Sequence, residues 1–421
     1  MLKRLLLVLA VVALGACSSN DPKKLAMKPA DLVKFEATAK LKKQWSRDTG
    51  SGTDKRYSRL VPALDRNNKI YTVGVKGDVE ALDAQTGKRL WQTSLKTQQG
   101  SEDAFVDQQS WVAKLFSSLL FWQEKPQPLQ IAGGIAVNNE AVFFGGFDGY
   151  VYAVDSENGE LLWQVALSSE VAAAPAANSE VVAVNTIDGR VYLLDAKTGE
   201  QRWRYDQTVP ILTLRGTSAP VLTPTQVIVG FDSGQIVSLA TSDGSTQWEV
   251  RVSRPQGRTE LERIVDIDGT PVVNSGYVYA ASYQGNIVAL SRAAGRSLWQ
   301  QEASTAHNIA VADGKVFVST EDSKVIAFNS ITGEPEWENF QLKRRDIGGP
   351  QEIGDYIAVI DKKGYLHLMN KSDGAFAYRF KPKGDDFRSP MLYANEMLYT
   401  FADNGRLTAY ALKERAPKKA N

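Results

Sequence analysis

One motif returns eight times along this chain, and no other feature restricts its fold as strongly. Each repeat reads approximately Gly-x-Val-Tyr-Ala-x-Asp-x-x-x-Gly-x-x-x-Trp. The first glycine is Gly77, Gly149, Gly189, Gly234, Gly285, Gly364 or Gly405, and Ser323 fills the remaining slot. Ten residues on comes Gly87, Gly159, Gly199, Gly244, Gly295, Gly333 or Gly374. Four further on comes Trp91, Trp163, Trp203, Trp248, Trp299 or Trp337, and then Tyr378. Successive repeats are 38 to 51 residues apart, except for 72 between the first two. A period near forty, with one glycine turn and one tryptophan per unit, belongs to the blades of a β-propeller.

One repeat contains the parts of an outer hairpin. In 188–203, Val191 and Leu193 alternate with Tyr192 and Leu194, a strand that neighbouring blades can bury on both faces. Asp195 can accept backbone N–H groups two or three residues on, and Gly199 can supply the left-handed residue that closes the turn. Asp83 and Asp155 recur in the same slot, so these carboxylates read as structural. An indole at Trp203 would bury ~150–250 Å². At ~25 cal/mol per Å² that is about 4–6 kcal/mol, an upper bound before entropy.

The last repeat, beginning at Gly405, lacks both the second glycine and the tryptophan. The segment around Trp45 supplies the missing strand, and counting it places seven of the nine tryptophans in the repeat slot. The fold class expected is therefore all-β: one eight-bladed propeller over residues 41–414, its four-stranded antiparallel blades closed by the N-terminal strand. Such closure removes the free sheet edges. Residues 415–421 read as a C-terminal tail.

The N-terminus reads as an export signal. Lys3 and Arg4 precede an apolar run from Leu5 to Leu14, too short to span a bilayer comfortably, and then Leu-Gly-Ala-Cys17. This resembles a bacterial lipoprotein signal over residues 1–16, which implies Cys17 as the lipidated first residue of the mature chain. Cys17 is the only cysteine, so an internal disulfide is excluded. Three acyl chains would anchor the protein permanently. Ser18 follows rather than Asp, which in such lipoproteins favours the outer membrane. Residues 17–40 read as a flexible tether with a reach of roughly 25–30 Å.

Composition excludes more than it assigns. Without Lys3 and Arg4 the chain has 47 basic and 48 acidic residues, and no basic stripe suggests nucleic acid. The repeat resembles that of the quinoprotein dehydrogenases, which are periplasmic enzymes on an eight-bladed propeller. Many of those enzymes use an adjacent cysteine pair, and all need a calcium site and a catalytic Asp. This chain has one cysteine. Its two histidines, His307 and His367, are sixty residues apart in apolar sequence settings and read as structural. No catalytic set, metal-ligand spacing or cofactor motif stands out. The expectation is a non-enzymatic protein without metal or cofactor.

The lipoprotein signal, the eight repeats and the length together resemble the BamB family, propeller lipoproteins of the outer-membrane β-barrel assembly machinery. Two stretches outside the repeat consensus carry the resemblance further: 210–220, with Leu212, Leu214 and Arg215, and 260–271, with Asp266 and Asp268. The resemblance implies that these five residues dock the periplasmic POTRA domains of BamA. Through BamA the chain would join the other subunits and meet unfolded barrel clients. The residues fit this role. Leu212 and Leu214 share one face of an extended segment. If exposed they form an apolar anchor, and otherwise they are ordinary core. Arg215 offers a forked donor. Asp266 and Asp268 either hold Arg215 or accept from the partner. The implied protein is a monomer within a hetero-complex, on the periplasmic face of the outer membrane. A glycan-binding propeller is the alternative, and exposed aromatics would favour it.

An insertion at about 98–130 departs from the repeat. Trp111, Leu115, Leu119 and Trp122 follow helical spacing, with Ser110 placed to cap the start. Such a helix packs on the propeller or meets a partner or the membrane interface.

Overall fold

The structure is a computed structural model that describes residues 28–54, 56, 58–96, 127–214 and 216–414. The export signal, Cys17, most of the 98–130 insertion, Arg215 and the 415–421 tail lie outside the described residues.

Eight antiparallel sheets form a closed ring. Blade 1 spans 63–94, blade 2 131–166, blade 3 176–206 and blade 4 221–251. Blade 5 spans 272–302, blade 6 310–339 and blade 7 351–380. Blade 8 combines 392–414 with the N-terminal strand Ala39–Asp48 as its outer member. The second strand of each blade is buried along nearly its whole length, as in Val181–Asn185. Adjacent blades cover both of its faces, which is why the sequence there is a continuous apolar run rather than an alternation.

Each outer strand carries a β-bulge beside its aromatic residue. In blade 3, Leu193 pairs with Trp203 while Leu194 pairs with Gln201. The cause is the turn. Asp195 accepts the N–H groups of Lys197 and Thr198 at 2.9 and 3.1 Å, and Gly199 takes φ +75°. The N-terminal strand shows the same irregularity: Lys43 pairs with Tyr410 and Trp45 with Ala409. Closure of the ring therefore reproduces the register of a covalent hairpin without having one.

Blade 2 departs from the four-stranded expectation. The short strand Arg59–Leu60 pairs in parallel with Gly133–Gly134, inside the innermost strand Ile131–Val137. A strand added there lies on the ring's central axis.

Residues 28–38 correct the expected extent of the tether. Ala30 N–H donates to Lys343 O at 2.9 Å and Thr38 N–H to Ala377 O at 3.0 Å. Arg345 and Arg379 each donate at 2.8 Å, to Ala30 O and Val33 O respectively. Phe35 stacks on Phe376 with ring centroids 5.4 Å apart. The sequence showed no β alternation in this segment because Arg379 of blade 7 and Arg345 of the connection before it hold it, rather than a sheet ladder.

Neither histidine has the apolar setting expected from its neighbours in sequence. His367 is fully buried, but between Asp361 at 3.1 Å and Arg379, whose Nε–H donates to His367 Nδ1 at 3.0 Å. Asp361 also binds Arg345 at 2.6 Å. Burial holds His367 below its ordinary pKa, against the pull of Asp361. His307 is exposed.

Candidate functional site: a braced loop between blades 3 and 4

Connections from an outer strand to the next inner strand, and hairpins between the two middle strands, all emerge at the same end of the blades. Both stretches picked out by sequence, 210–220 and 260–271, lie at that end. The first links blades 3 and 4, and the second links blades 4 and 5.

The first stretch is an irregular loop rather than the extended segment expected. A bend occupies Ile211 and Leu212. Two prolines, Pro210 and Pro220, limit backbone pairing there. As a result Leu212 and Leu214 do not present equal faces. Ile211 is 100% exposed and Leu212 40%, whereas Leu214 is half-buried. Ile211 was absent from the sequence-based set because alternation assigned it to the opposite face.

The second stretch begins with an exposed 3-10 turn, Leu261–Arg263, and then turns inward. Ile264, Val265 and Ile267 are buried, and so are Asp266 and Asp268. The two carboxylates do share one side, as their spacing required, but the side is internal. The Leu214 backbone N–H donates to the Asp266 carboxylate, which ties the two stretches together. Gly216 lies against Asp268, where a Cβ would come within 2.1 Å of Oδ1. One oxygen of each, Asp266 Oδ1 and Asp268 Oδ1, has no hydrogen-bond partner among the described residues.

Sequence reasoning missed two members of this site. Asp232, in the tight turn Phe231–Gly234, brings a third carboxylate within 4.8 Å of the other two. The same turn position holds Val75, Phe147, Ile187 and Tyr283 in four blades but Glu321 and Asp403 in two others, so an acid there did not mark Asp232 in the sequence. Arg59 lies outside the repeat altogether. Its guanidinium donates to Asp268 O at 2.9 Å and Thr217 O at 3.4 Å, and stands 3.8 Å from the Asp268 carboxylate.

Burial raises all three acids, and repulsion from neighbouring carboxylates adds to it at Asp232 and Asp266. Asp232 is pushed up to about 8 by burial, then by Asp266 and Asp268, with Arg59 opposing. Asp266 is pushed up to about 7 by burial and Asp268, with the Leu214 N–H opposing. Asp268 reaches about 6 through burial, held back by Arg59. Close carboxylates titrate as a unit, so the trio shares protons near neutral pH. Three oxygens at this separation are a donor set a hard cation accepts. Arg59 already places a positive charge beside them.

The seven tryptophans of the repeat are not available as a binding platform. Each is buried or half-buried against the next blade.

The family model described as "Outer membrane protein assembly factor BamB" matches residues 30–113 and 117–339. A curated relative of that name from Pseudomonas aeruginosa is 37% identical over 408 residues, covering 97% of this chain and 98% of the relative. Its counterpart from Escherichia coli K12 is 34% identical, covering 98% and 99%. The crystal structure of BamB from Moraxella catarrhalis superposes with a TM-score of 0.73 at 27% identity, covering 88% of this chain and 99% of that one. A europium-containing methanol dehydrogenase superposes with a TM-score of 0.63 at 13% identity, covering 88% and 93%, a likeness of fold alone. With an eight-bladed ring, a family match over most of its length and relatives aligned nearly end to end, this chain belongs to the BamB family of outer membrane protein assembly factors.

Proposed function

We propose that the protein is a non-enzymatic scaffold, lipidated at Cys17 and held on the periplasmic face of the outer membrane. It docks the periplasmic POTRA domains of BamA through the loop between blades 3 and 4. Leu212, Leu214 and Arg215 supply the contact, and Ile211 joins them as the most exposed apolar residue of the loop. Asp266 and Asp268 act from behind: buried carboxylates cannot reach a partner, but Asp266 holds the Leu214 N–H and Asp268 backs Gly216.

The observation that carries this reading is Ile211 and Leu212 in solvent on a loop whose base is buried and hydrogen-bonded. Exposed apolar side chains on a fixed backbone lose little entropy on binding, and such side chains make effective anchors. A rigid ring with one docking loop would act by proximity, keeping the partner's domains in a productive arrangement while clients fold.

The test is co-purification of BamA with tagged wild type and with Ile211→Ser/Leu212→Ser. Both positions are exposed, so melting temperature should not change. Retention by wild type and loss by the variant is expected. Failure of the wild type to retain the partner removes the reading.

A further inference from the structure

The loop's base is braced from the opposite side of the ring. Arg59 belongs to the segment that joins blade 8 to blade 1, and it is pinned to blade 2 through its parallel strand. Val61 N–H donates to Gly134 O at 2.6 Å, and Ile135 N–H to Val61 O at 3.1 Å. Leu60 is buried. The Arg59 side chain then meets Thr217 and Asp268, each four residues before the inner strand of blade 4 or 5. Blade 2 adjoins neither of these blades, so the side chain reaches them through the middle of the ring.

Its two carbonyl contacts fall at the ends of the proposed docking structure. Thr217 closes the 208–216 loop. Asp268 lies two residues beyond Asp266, which holds the Leu214 N–H. Gly216 packs on the same Asp268 carboxylate. A single guanidinium thus ties together the two segments whose relative position sets where Leu212 and Leu214 stand. Among the described residues it is also the cation that pairs with the Asp268 carboxylate, whose Oδ1 lacks a hydrogen-bond partner there.

We propose that Arg59 is a positioning residue for the 208–216 loop: across the axis, it locks the loop in the form that receives the partner. The proposal rests on the docking role given above. Arg59 does not touch the partner. It fixes the distance between the carbonyl of Thr217 and the carboxylate arm at Asp266 and Asp268.

The experiment uses the full propeller in two measurements. Backbone hydrogen exchange over 208–217 reports on the loop without any partner. Affinity for immobilised BamA POTRA domains reports on docking. Arg59→Gln removes the charge and the fork, and losing hydrogen bonds to a charged group should accelerate exchange in this loop and weaken binding, each by about tenfold or more. Central strands such as Val181–Asn185 should exchange as in wild type. Arg59→Lys keeps the charge and should restore most of both effects, a rescue that a merely space-filling role would not give. Arg59→Met, which keeps the stem, replaces Arg59→Gln if the latter does not fold.

Wild-type exchange in Arg59→Gln overturns the proposal, whatever happens to binding. Faster exchange with wild-type affinity also overturns it. Leu212→Ala/Leu214→Ala runs alongside. If that variant binds as wild type does, the docking reading fails, and the exchange data alone decide whether Arg59 positions the loop.

Discussion

The indole N–H of Trp45 donates to the carbonyl oxygen of Ala84, 2.9 Å away in the neighbouring blade. Its ring lies over Gly87 of the same turn, where a Cβ would come within 2.6 Å. The pairing recurs around the ring. Trp91 donates to Ser156, Trp163 to Ala196, Trp203 to Thr241, Trp248 to Arg292, Trp299 to Ser330 and Trp337 to Lys371, all at 2.8–3.0 Å. Each tryptophan thus recognises the turn of the next blade rather than its own. This explains Tyr378. The blade that follows it is blade 8, whose outer strand comes from the N-terminus, so there is no turn glycine to cover and no turn carbonyl to meet. Tyr378 instead stacks with Phe380, which packs edge-on against Tyr410.

The locks differ in one respect, and the difference predicts unequal costs. Ala84 O also accepts from Tyr399 Oη at 3.1 Å, whereas Thr241 O has Trp203 as its side-chain donor. Trp45→Phe should leave Ala84 O satisfied, while Trp203→Phe leaves the half-buried Thr241 carbonyl without its side-chain donor. The second substitution should cost about 1 kcal/mol more than the first. Trp45→Ala should cost about 3–5 kcal/mol through the cavity it opens between the chain's two ends. Urea unfolding with unchanged slopes would check the ranking. Equal midpoints for the two phenylalanine variants would refute it.

The turn glycines should be far less replaceable than glycines in open positions. Gly87 has φ +68°, and a methyl group there would strike the Trp45 ring. Gly276 lies outside the left-handed region and has nothing within 4 Å of a Cβ. Gly87→Ala should destabilise by at least about 1–2 kcal/mol from backbone strain alone, before the ring clash is counted. Gly276→Ala should be neutral or slightly stabilising. Melting temperatures of the two variants would separate them by several degrees.

Glycine and tryptophan spacing made the ring readable because both residues serve the same recurring contact. Blade number, closure by the strand around Trp45 and the Asp195 turn all follow from that one periodic requirement. Residues serving contacts made once left no such trace. Arg59 works across the axis, and its partners are the backbone carbonyls of Thr217 and Asp268, which any residue could supply. Residues 28–38 are held by Arg379 of blade 7 and Arg345 of the connection before it. At the candidate site, the i and i+2 spacing of Asp266 and Asp268 put both on one side, yet spacing alone could not say that this side is internal. Leu212 and Leu214 differ in exposure because a bend, not a strand, carries them.

The acidic trio should make stability fall with rising pH. Asp232, Asp266 and Asp268 all have folded pKa values raised above those of an unfolded chain. Between pH ~4 and ~8 the folded state therefore holds more protons, so the contribution is fully present below the unfolded carboxyl pKa and lost as pH rises through about 6 to 8. Asp232→Asn removes the most strongly raised group. The variant should gain on wild type as pH goes from 6 to 8.5, measured by denaturant midpoint. A constant difference across that range would exclude shared protons at this site.

His367 should act with the opposite sign. Its Nδ1 accepts from Arg379 Nε–H, so the neutral ring must carry its proton on Nε2, facing Asp361. Burial depresses its pKa. The stability it contributes is present above the unfolded value of about 6.5 and is lost as pH falls through the folded value. Protonation would also remove the acceptor that fixes Arg379, which holds Val33 and lies over Phe35. His367→Gln should therefore lower the denaturant midpoint at pH 7.5, with the gap to wild type narrowing at pH 5.5. The acidic trio titrates in both proteins, so its effect cancels in that difference. Fluorescence of a dye attached at Lys34→Cys should report release of residues 28–38 as pH falls in wild type, and at every pH in the variant. A gap that widens on acidification would contradict a neutral, buried His367.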